Sequence, residues 1–238
     1  MRKEQHVCLA CGFNMIGFHP DTCPFCGAPK ERFITSEECS ARFKVAATPV
    51  NEKVTRLNSQ PSLGFEHAAF RIETGGSACW IDCPSSFDAS LPPVDTILFT
   101  HHHFLGASNL YREHFGARVR IHDADARHEI CRPFSFDDTF TENFSQQGIE
   151  AFHVDGHTPG FTFYIFEETL FICDYVFLDG DGMKLNPFGP ADQTIAGSRR
   201  IRELLDKRQL ATVCGYNYVI EYPDWRRRFD AGPPFGGF

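Results

Sequence analysis

Two pairs of cysteines carry the plainest chemistry in the chain, Cys8-Leu9-Ala10-Cys11-Gly12 and Cys23-Pro24-Phe25-Cys26-Gly27. Each pair puts two thiols on a tight turn. The glycine after the second cysteine lets the backbone curl until its amides point at sulfur, which stabilises thiolate charge. Two such turns face to face make a tetrahedral four-sulfur site, a geometry that suits zinc or a mononuclear iron. A second candidate set is spread along the chain. In Val94-Asp95-Thr96-Ile97-Leu98-Phe99-Thr100-His101-His102-His103 an apolar strand runs into histidines, and the period of two of an extended chain turns His101 and His103 to one side. Gly156-His157-Thr158-Pro159-Gly160 places a third histidine in a turn, and Leu170-Phe171-Ile172-Cys173-Asp174 ends a strand on a carboxylate. Three imidazoles and one carboxylate suit one Zn²⁺ or Fe²⁺. Singly, each piece has an ordinary explanation, a solvated histidine loop or an Asp that caps a turn.

Neighbouring residues are expected to do less. His102 lies between two candidate ligands and is assigned a supporting or surface role, and His153 is read as a hydrogen-bonded residue at a strand end. Tyr216 and Asn217 are candidate pocket residues. Four of the ten cysteines fall into the two Cys-x-x-Cys pairs, which favours metal over a disulfide scaffold in a chain too long to need stapling. The other six, Cys39, Cys79, Cys83, Cys131, Cys173 and Cys214, are scattered singly and read as buried small apolar residues.

The elements that must position these residues follow from punctuation and periodicity. Residues 1–36 are broken by Gly and Pro and contain no run long enough to build an apolar core, so something other than burial must hold them. One or two helical turns are expected over 35–43, with Thr35 or Ser36 as N-cap. The expected organisation is a metal-binding knuckle over 1–36, a linker over 37–44 and a larger domain over 45–238. Strands are expected over 43–49, 68–74, 78–82, 96–100, 118–122, 149–154, 162–167, 169–173 and 211–215, with a hairpin turn at Glu167-Glu168. Helices are expected over 109–114 and 194–210, where Ile195, Ile201, Leu204 and Leu205 form an apolar stripe. Strands alternating with helices predict an α/β layer arrangement. The Gly, Pro and Phe tail over 231–238 predicts no regular structure.

Residues 5–34, and Cys23-Pro24-Phe25-Cys26-Gly27-Ala28-Pro29-Lys30 above all, resemble the short rubredoxin-like domain of rubrerythrins. That resemblance implies one iron at Cys8, Cys11, Cys23 and Cys26, with a zinc ribbon as the alternative. Residues 45–225 resemble the metallo-β-lactamase fold, an αββα sandwich shared by glyoxalase II, β-lactamases and part of the flavodiiron proteins. Thr100-His101-His102-His103 matches the start of its His-x-His-x-Asp-His motif, Gly156-His157-Thr158-Pro159-Gly160 its third-histidine turn, and Asp174 its bridging aspartate. The motif's later Asp and His are replaced by Leu105 and Gly106, and Cys214-Gly215-Tyr216-Asn217 stands where a last histidine is expected. The ligands of a second metal are thereby lost, while His101, His103, His157 and Asp174 remain for one Zn or Fe. Cys173 stands where the family usually has Gly, which places a thiol beside Asp174.

Two-metal hydrolysis with a bridging nucleophile is not expected with Leu105 at that position. The leading expectation is a redox-linked metalloprotein, in which a knuckle iron relays electrons to or from the larger domain or a protein partner. A mononuclear metallohydrolase with a structural zinc knuckle and a small-molecule substrate is the alternative, and a metal-free interaction module is a third. A related resemblance, to the family's persulfide dioxygenases, implies an iron triad of His101, His157 and Asp174. The net charge of −8 argues against nucleic acid as a partner, and the densest basic cluster, Arg226, Arg227 and Arg228, reads as a solvated face. The charged start at residues 1–6 does not read as a secretory signal, and no apolar run approaches the roughly 20 residues of a membrane span. A cytoplasmic protein without a membrane partner is expected.

Overall fold

A computed structural model of the chain describes residues 4–17 and 20–235. The charged start at 1–3 and the end of the tail at 236–238 lie outside the described residues. Two compact units emerge, one formed by the residues up to Ile121 with Ala126–Thr139, the other by His122–Asp125 with the chain from Phe140 onward.

In the first unit the N-terminal segment is more regular than its Gly and Pro content predicts. Gln5–Cys8, Asn14–Ile16 and Phe33–Thr35 form a three-stranded antiparallel sheet with the first strand central. Strands of three or four residues are too short for alternation to show in the sequence. The helix Ser36–Arg42 follows, capped as expected by Thr35, whose side chain accepts from the Glu38 amide while Glu38 reaches back to the Thr35 amide.

A seven-stranded sheet comes next, in the order Asp138–Phe140, Arg118–His122, Thr96–Leu98, Ala78–Ile81, Ala69–Glu73, Val54–Gln60 and Lys44–Pro49. Ala78–Ile81, Thr96–Leu98 and Arg118–His122 pair in parallel. Parallel neighbours need a crossover, and the helix Ser108–Phe115 is the one between the last two. Val54–Gln60 is a strand that its mixed polar sequence did not announce. Trp80, Ile97, Phe99, Tyr111, Val119 and Ile121 fill the core behind the sheet.

The second unit repeats the logic. Its six-stranded sheet runs Phe144–Gln146, Ile149–His153, Thr162–Phe166, Thr169–Cys173, Thr212–Gly215 and Val219–Glu221. The hairpin turn falls at Glu167-Glu168 as expected, and Thr169–Cys173 pairs in parallel with Thr212–Gly215. The helix Ala191–Leu205 is the crossover between them, its stripe of Ile201 and Leu205 buried. Phe161, Phe163, Ile172, Trp225 and Phe229 pack this core. The arginine run belongs to the helix Tyr222–Asp230, where Arg228 pairs with Asp224 at 2.7 Å and Arg226 with Asp230 at 2.8 Å, so it forms no free basic surface. The tail is irregular as far as described, apart from one bridge between Phe235 and Leu185. His101 and His103 follow the carboxyl end of the parallel strand Thr96–Leu98 and Asp174 that of the parallel strand Thr169–Cys173, a place where open α/β sheets commonly hold ligands, whereas His157 follows the antiparallel strand Ile149–His153.

Candidate functional site

The cysteine knuckle is complete within the first unit. Gly12, at φ 76°, returns its amide to the Cys8 carbonyl at 2.8 Å, and Gly27, at φ 71°, does the same to Cys23 at 2.9 Å. The left-handed backbone explains why glycine closes both turns. The sulfurs of Cys8 and Cys26 lie 3.8 Å apart, those of Cys11 and Cys23 3.7 Å apart, and all four lie within 4.8 Å of one another. Four sulfurs about 2.3 Å from a central cation form a tetrahedron with edges of about 3.8 Å, so the cage fits zinc or iron. Hydrogen bonds to Cys23 and Cys8, then burial, push the Cys11 thiol far above its ordinary range, so four thiolates here call for a cation among them.

His101 and His103 also belong to the first unit. Strand geometry does not extend to them. Thr96–Leu98 stops short, His101 is extended at φ −169° and ψ −179°, and His102–Phe104 is a 3-10 turn. The two rings nonetheless lie 4.9 Å apart, each with a nitrogen within 4.8 Å of the other's, because an extended residue followed by a tight turn folds residue 103 back. His102 is buried and stacks on His128 at 4.1 Å, which removes the surface reading. The Thr100 hydroxyl lies 2.9 Å from an Asp82 oxygen and 2.9 Å from His101 Nδ1. Since it donates to the carboxylate, it accepts from His101 Nδ1–H, and the lone pair of His101 then sits on Nε2.

His157 and Asp174 belong to the second unit, both buried, with His157 Nε2 3.5 Å from the Asp174 carboxylate. Asp125 holds the third-histidine turn from outside by accepting the Thr158 hydroxyl at 2.9 Å and the Gly160 amide at 2.7 Å. Asn186, fully buried, donates to the Asp174 backbone carbonyl at 2.9 Å and to its carboxylate at 3.1 Å. The Phe188 amide donates to the Asn186 side-chain oxygen at 2.9 Å, which fixes which way that amide points. Cys173, beside Asp174, is buried with φ at 44°. Tyr216 is buried edge-on against Phe177, and Asn217 is exposed. His153 donates to the Pro159 carbonyl at 2.9 Å, the hydrogen-bonded role expected of it, and stacks on His122 at 3.9 Å.

Leu105 and Gly106, which stand for two of the lost second-metal ligands, offer no donor. Leu105 is buried in the core, and Gly106 lies tight against the Cys83 and Pro84 carbonyls. All six scattered cysteines are buried, as expected. Sequence reasoning missed Asp82, Asp125 and Asn186. Each is far in sequence from the residue it holds, and no spacing rule links them.

No family model matches the chain. Hydroxyacylglutathione hydrolases from two strains of Aliivibrio fischeri are 28% and 27% identical to it over 151 residues, 62% of this chain and 56% of theirs. The chain thus spans little more than half the length of these curated relatives. Similar solved structures include a metallo-β-lactamase from Hirschia baltica, with a TM-score of 0.63 at 11% identity over 80% of this chain and 98% of that one. The metallo-β-lactamase from Pontibacter korlensis scores 0.61 at 14% identity over 79% and 99%. FIM-1 from Pseudomonas aeruginosa, in its mono-zinc form, scores 0.61 at 10% identity over 79% and 95%.

Proposed function

Since this chain has the metallo-β-lactamase fold, we propose that it is a mononuclear metal-dependent hydrolase of small ester or thioester substrates, with a structural zinc in the cysteine knuckle. The likeness to hydroxyacylglutathione hydrolases carries this proposal. It favours hydrolysis over the electron relay expected from the knuckle alone, for which none of the relatives named above speaks.

In the proposal His101, His103, His157 and Asp174 together hold one cation, a donor set of the kind zinc accepts. When bound, that cation supplies Lewis acidity, polarising a carbonyl and lowering the pKa of a water to about 7. The protein's own residues do the positioning. Thr100, backed by Asp82, keeps the proton of His101 on Nδ1. Asp125 fixes the turn that carries His157, and Asn186 steadies the Asp174 carboxylate. Leu105 and Gly106 contribute no donor, so two-metal chemistry forms no part of the proposal. A small-molecule substrate and a cytoplasmic location complete it. Among the described residues no helix is long and apolar enough to cross a membrane.

Metal analysis of the full chain, with turnover of an S-acyl thioester, tests the proposal. Two zinc equivalents are expected, with His101→Ala and His157→Ala each losing one equivalent together with turnover. Unchanged stoichiometry in both variants, or iron with thiolate-to-iron absorption and no thioester turnover, would overturn it.

A further inference from the structure

The cysteine knuckle and the His101–His103 loop, joined only through sequence in the proposal above, are in physical contact within the first unit. Phe25, between Cys23 and Cys26, sets its ring edge-on to Phe104 at 4.8 Å and tilted against His103 at 5.9 Å. Behind it, Phe13 lies parallel to Phe25 at 6.3 Å. The turn between Cys23 and Cys26 thus touches the histidine loop.

The floor under that loop is gripped by the same knuckle. The loop ends where the Ala107 amide donates to the Pro84 carbonyl at 2.9 Å. The next carbonyl, that of Ser85, accepts from the Asn14 side chain at 3.1 Å, and Asn14 also donates to the Gly12 carbonyl at 2.9 Å inside the first cysteine turn. Gln5 donates to the Asn14 side-chain oxygen at 2.8 Å and reaches the Gly106 carbonyl at 3.4 Å. Gly12 itself lies so close to Ser85 that a Cβ there would come within 2.4 Å of the serine oxygen. From below, the buried Glu66 carboxylate accepts the Ser85 amide at 2.9 Å. Gly64 lies against the Ala10 backbone, and the Phe65 amide donates to the Ala10 carbonyl at 3.0 Å.

We infer that Phe25 is a positioning residue for His103, through which the ordered four-cysteine knuckle sets the histidine loop in its metal-binding shape. The physical reason is short. A 3-10 turn of three residues has little backbone bonding of its own, and His103 is only half-buried, so its ring direction depends on what packs against it. An aromatic edge supplies that direction, and the turn that carries the edge is rigid only while its sulfurs are held. The two metal sites are therefore coupled: a filled knuckle favours binding at the histidines, and by linkage binding at the histidines favours the filled knuckle.

This inference rests on the proposed histidine site, and its test separates the two. The full chain is titrated with Co²⁺, whose thiolate absorption reports the knuckle and whose weaker ligand-field bands report a second equivalent. Phe25→Ala is expected to keep the thiolate absorption while binding the second equivalent about tenfold more weakly, and Phe25→Tyr, which keeps the ring, to restore it. Amide exchange over residues 99–107 is expected to quicken in Phe25→Ala and return to normal in Phe25→Tyr. Second-equivalent affinity equal to wild type in Phe25→Ala, or as weak in Phe25→Tyr as in Phe25→Ala, overturns the inference. If wild type takes up one equivalent only, the hydrolase proposal fails, and amide exchange alone decides: faster exchange in Phe25→Ala upholds Phe25 as a brace, and unchanged exchange overturns it. Should Phe25→Ala lose the thiolate absorption, Phe25→Leu, which keeps apolar volume without the ring, is read by the same criteria.

Discussion

The cysteine knuckle and the histidine sites solve one problem by opposite means. At the knuckle the candidate ligands are positioned by their own turns: each cysteine pair is closed by a glycine four residues after the first cysteine, and the backbone amides that shape the turn are local. The histidines depend on distant residues. His101 is oriented through Thr100 by Asp82, the turn around His157 is tied down by Asp125, and Asp174 is held by Asn186. A site built from local turns is a property of a short peptide, whereas a site built from remote supports exists only after the sheets have formed.

The sharpest way to break that contrast is to remove one sulfur. Cys23→Ser leaves three ligands in a small core of Cys8, Cys11, Phe13 and Phe33, and is expected to lose one metal equivalent and at least about 3 kcal/mol of stability. Elemental analysis with chemical denaturation checks both, and full metal content with an unshifted midpoint would deny the knuckle its structural part. A smaller effect is expected from the remote kind of support. Asp125→Ala removes the acceptor of the Gly160 amide and the Thr158 hydroxyl, and losing such a support beside a metal-binding histidine is expected to weaken metal binding by about 10- to 100-fold. Titration of the second equivalent measures it, with the knuckle equivalent as internal reference. Equal weakening at both sites would erase the distinction between local and remote positioning.

The smallest effect concerns protons. Burial, then the stacked His153, lowers the pKa of His122 below its ordinary 6.5. A depressed folded value means that the unfolded chain takes the proton first as pH falls. The contribution of His122 is therefore present above about 6.5 and is lost as pH drops through the lower folded value. Urea midpoints between pH 7.5 and pH 5 are expected to fall more in wild type than in His122→Phe. Parallel profiles would show that the remote supports of the second unit are insensitive to this pair.

What could be read in the sequence follows the same divide. The four cysteines, the Thr35 cap, the strand over 118–122 and the turn at Glu167-Glu168 are short-range patterns, and each stands where expected. The His101 and His103 pairing was anticipated for the wrong reason, since a 3-10 turn after one extended residue replaces strand alternation. Asp82, Asp125 and Asn186 are invisible in the sequence because hydrogen bonds spanning 12 to 35 residues leave no period in the chain. The N-terminal sheet escaped notice because none of its strands exceeds four residues.

Cys173 gives the second unit a mechanical property. It holds φ at 44°, a left-handed value that costs a residue with a side chain about 1 to 2 kcal/mol, at a slip in register between Phe171 and Cys173. Such a bend persists only where its surroundings permit no other path. The Asp174 carboxylate therefore sits on a stiff mount, and its resistance to displacement comes from the bent strand beneath it as well as from Asn186.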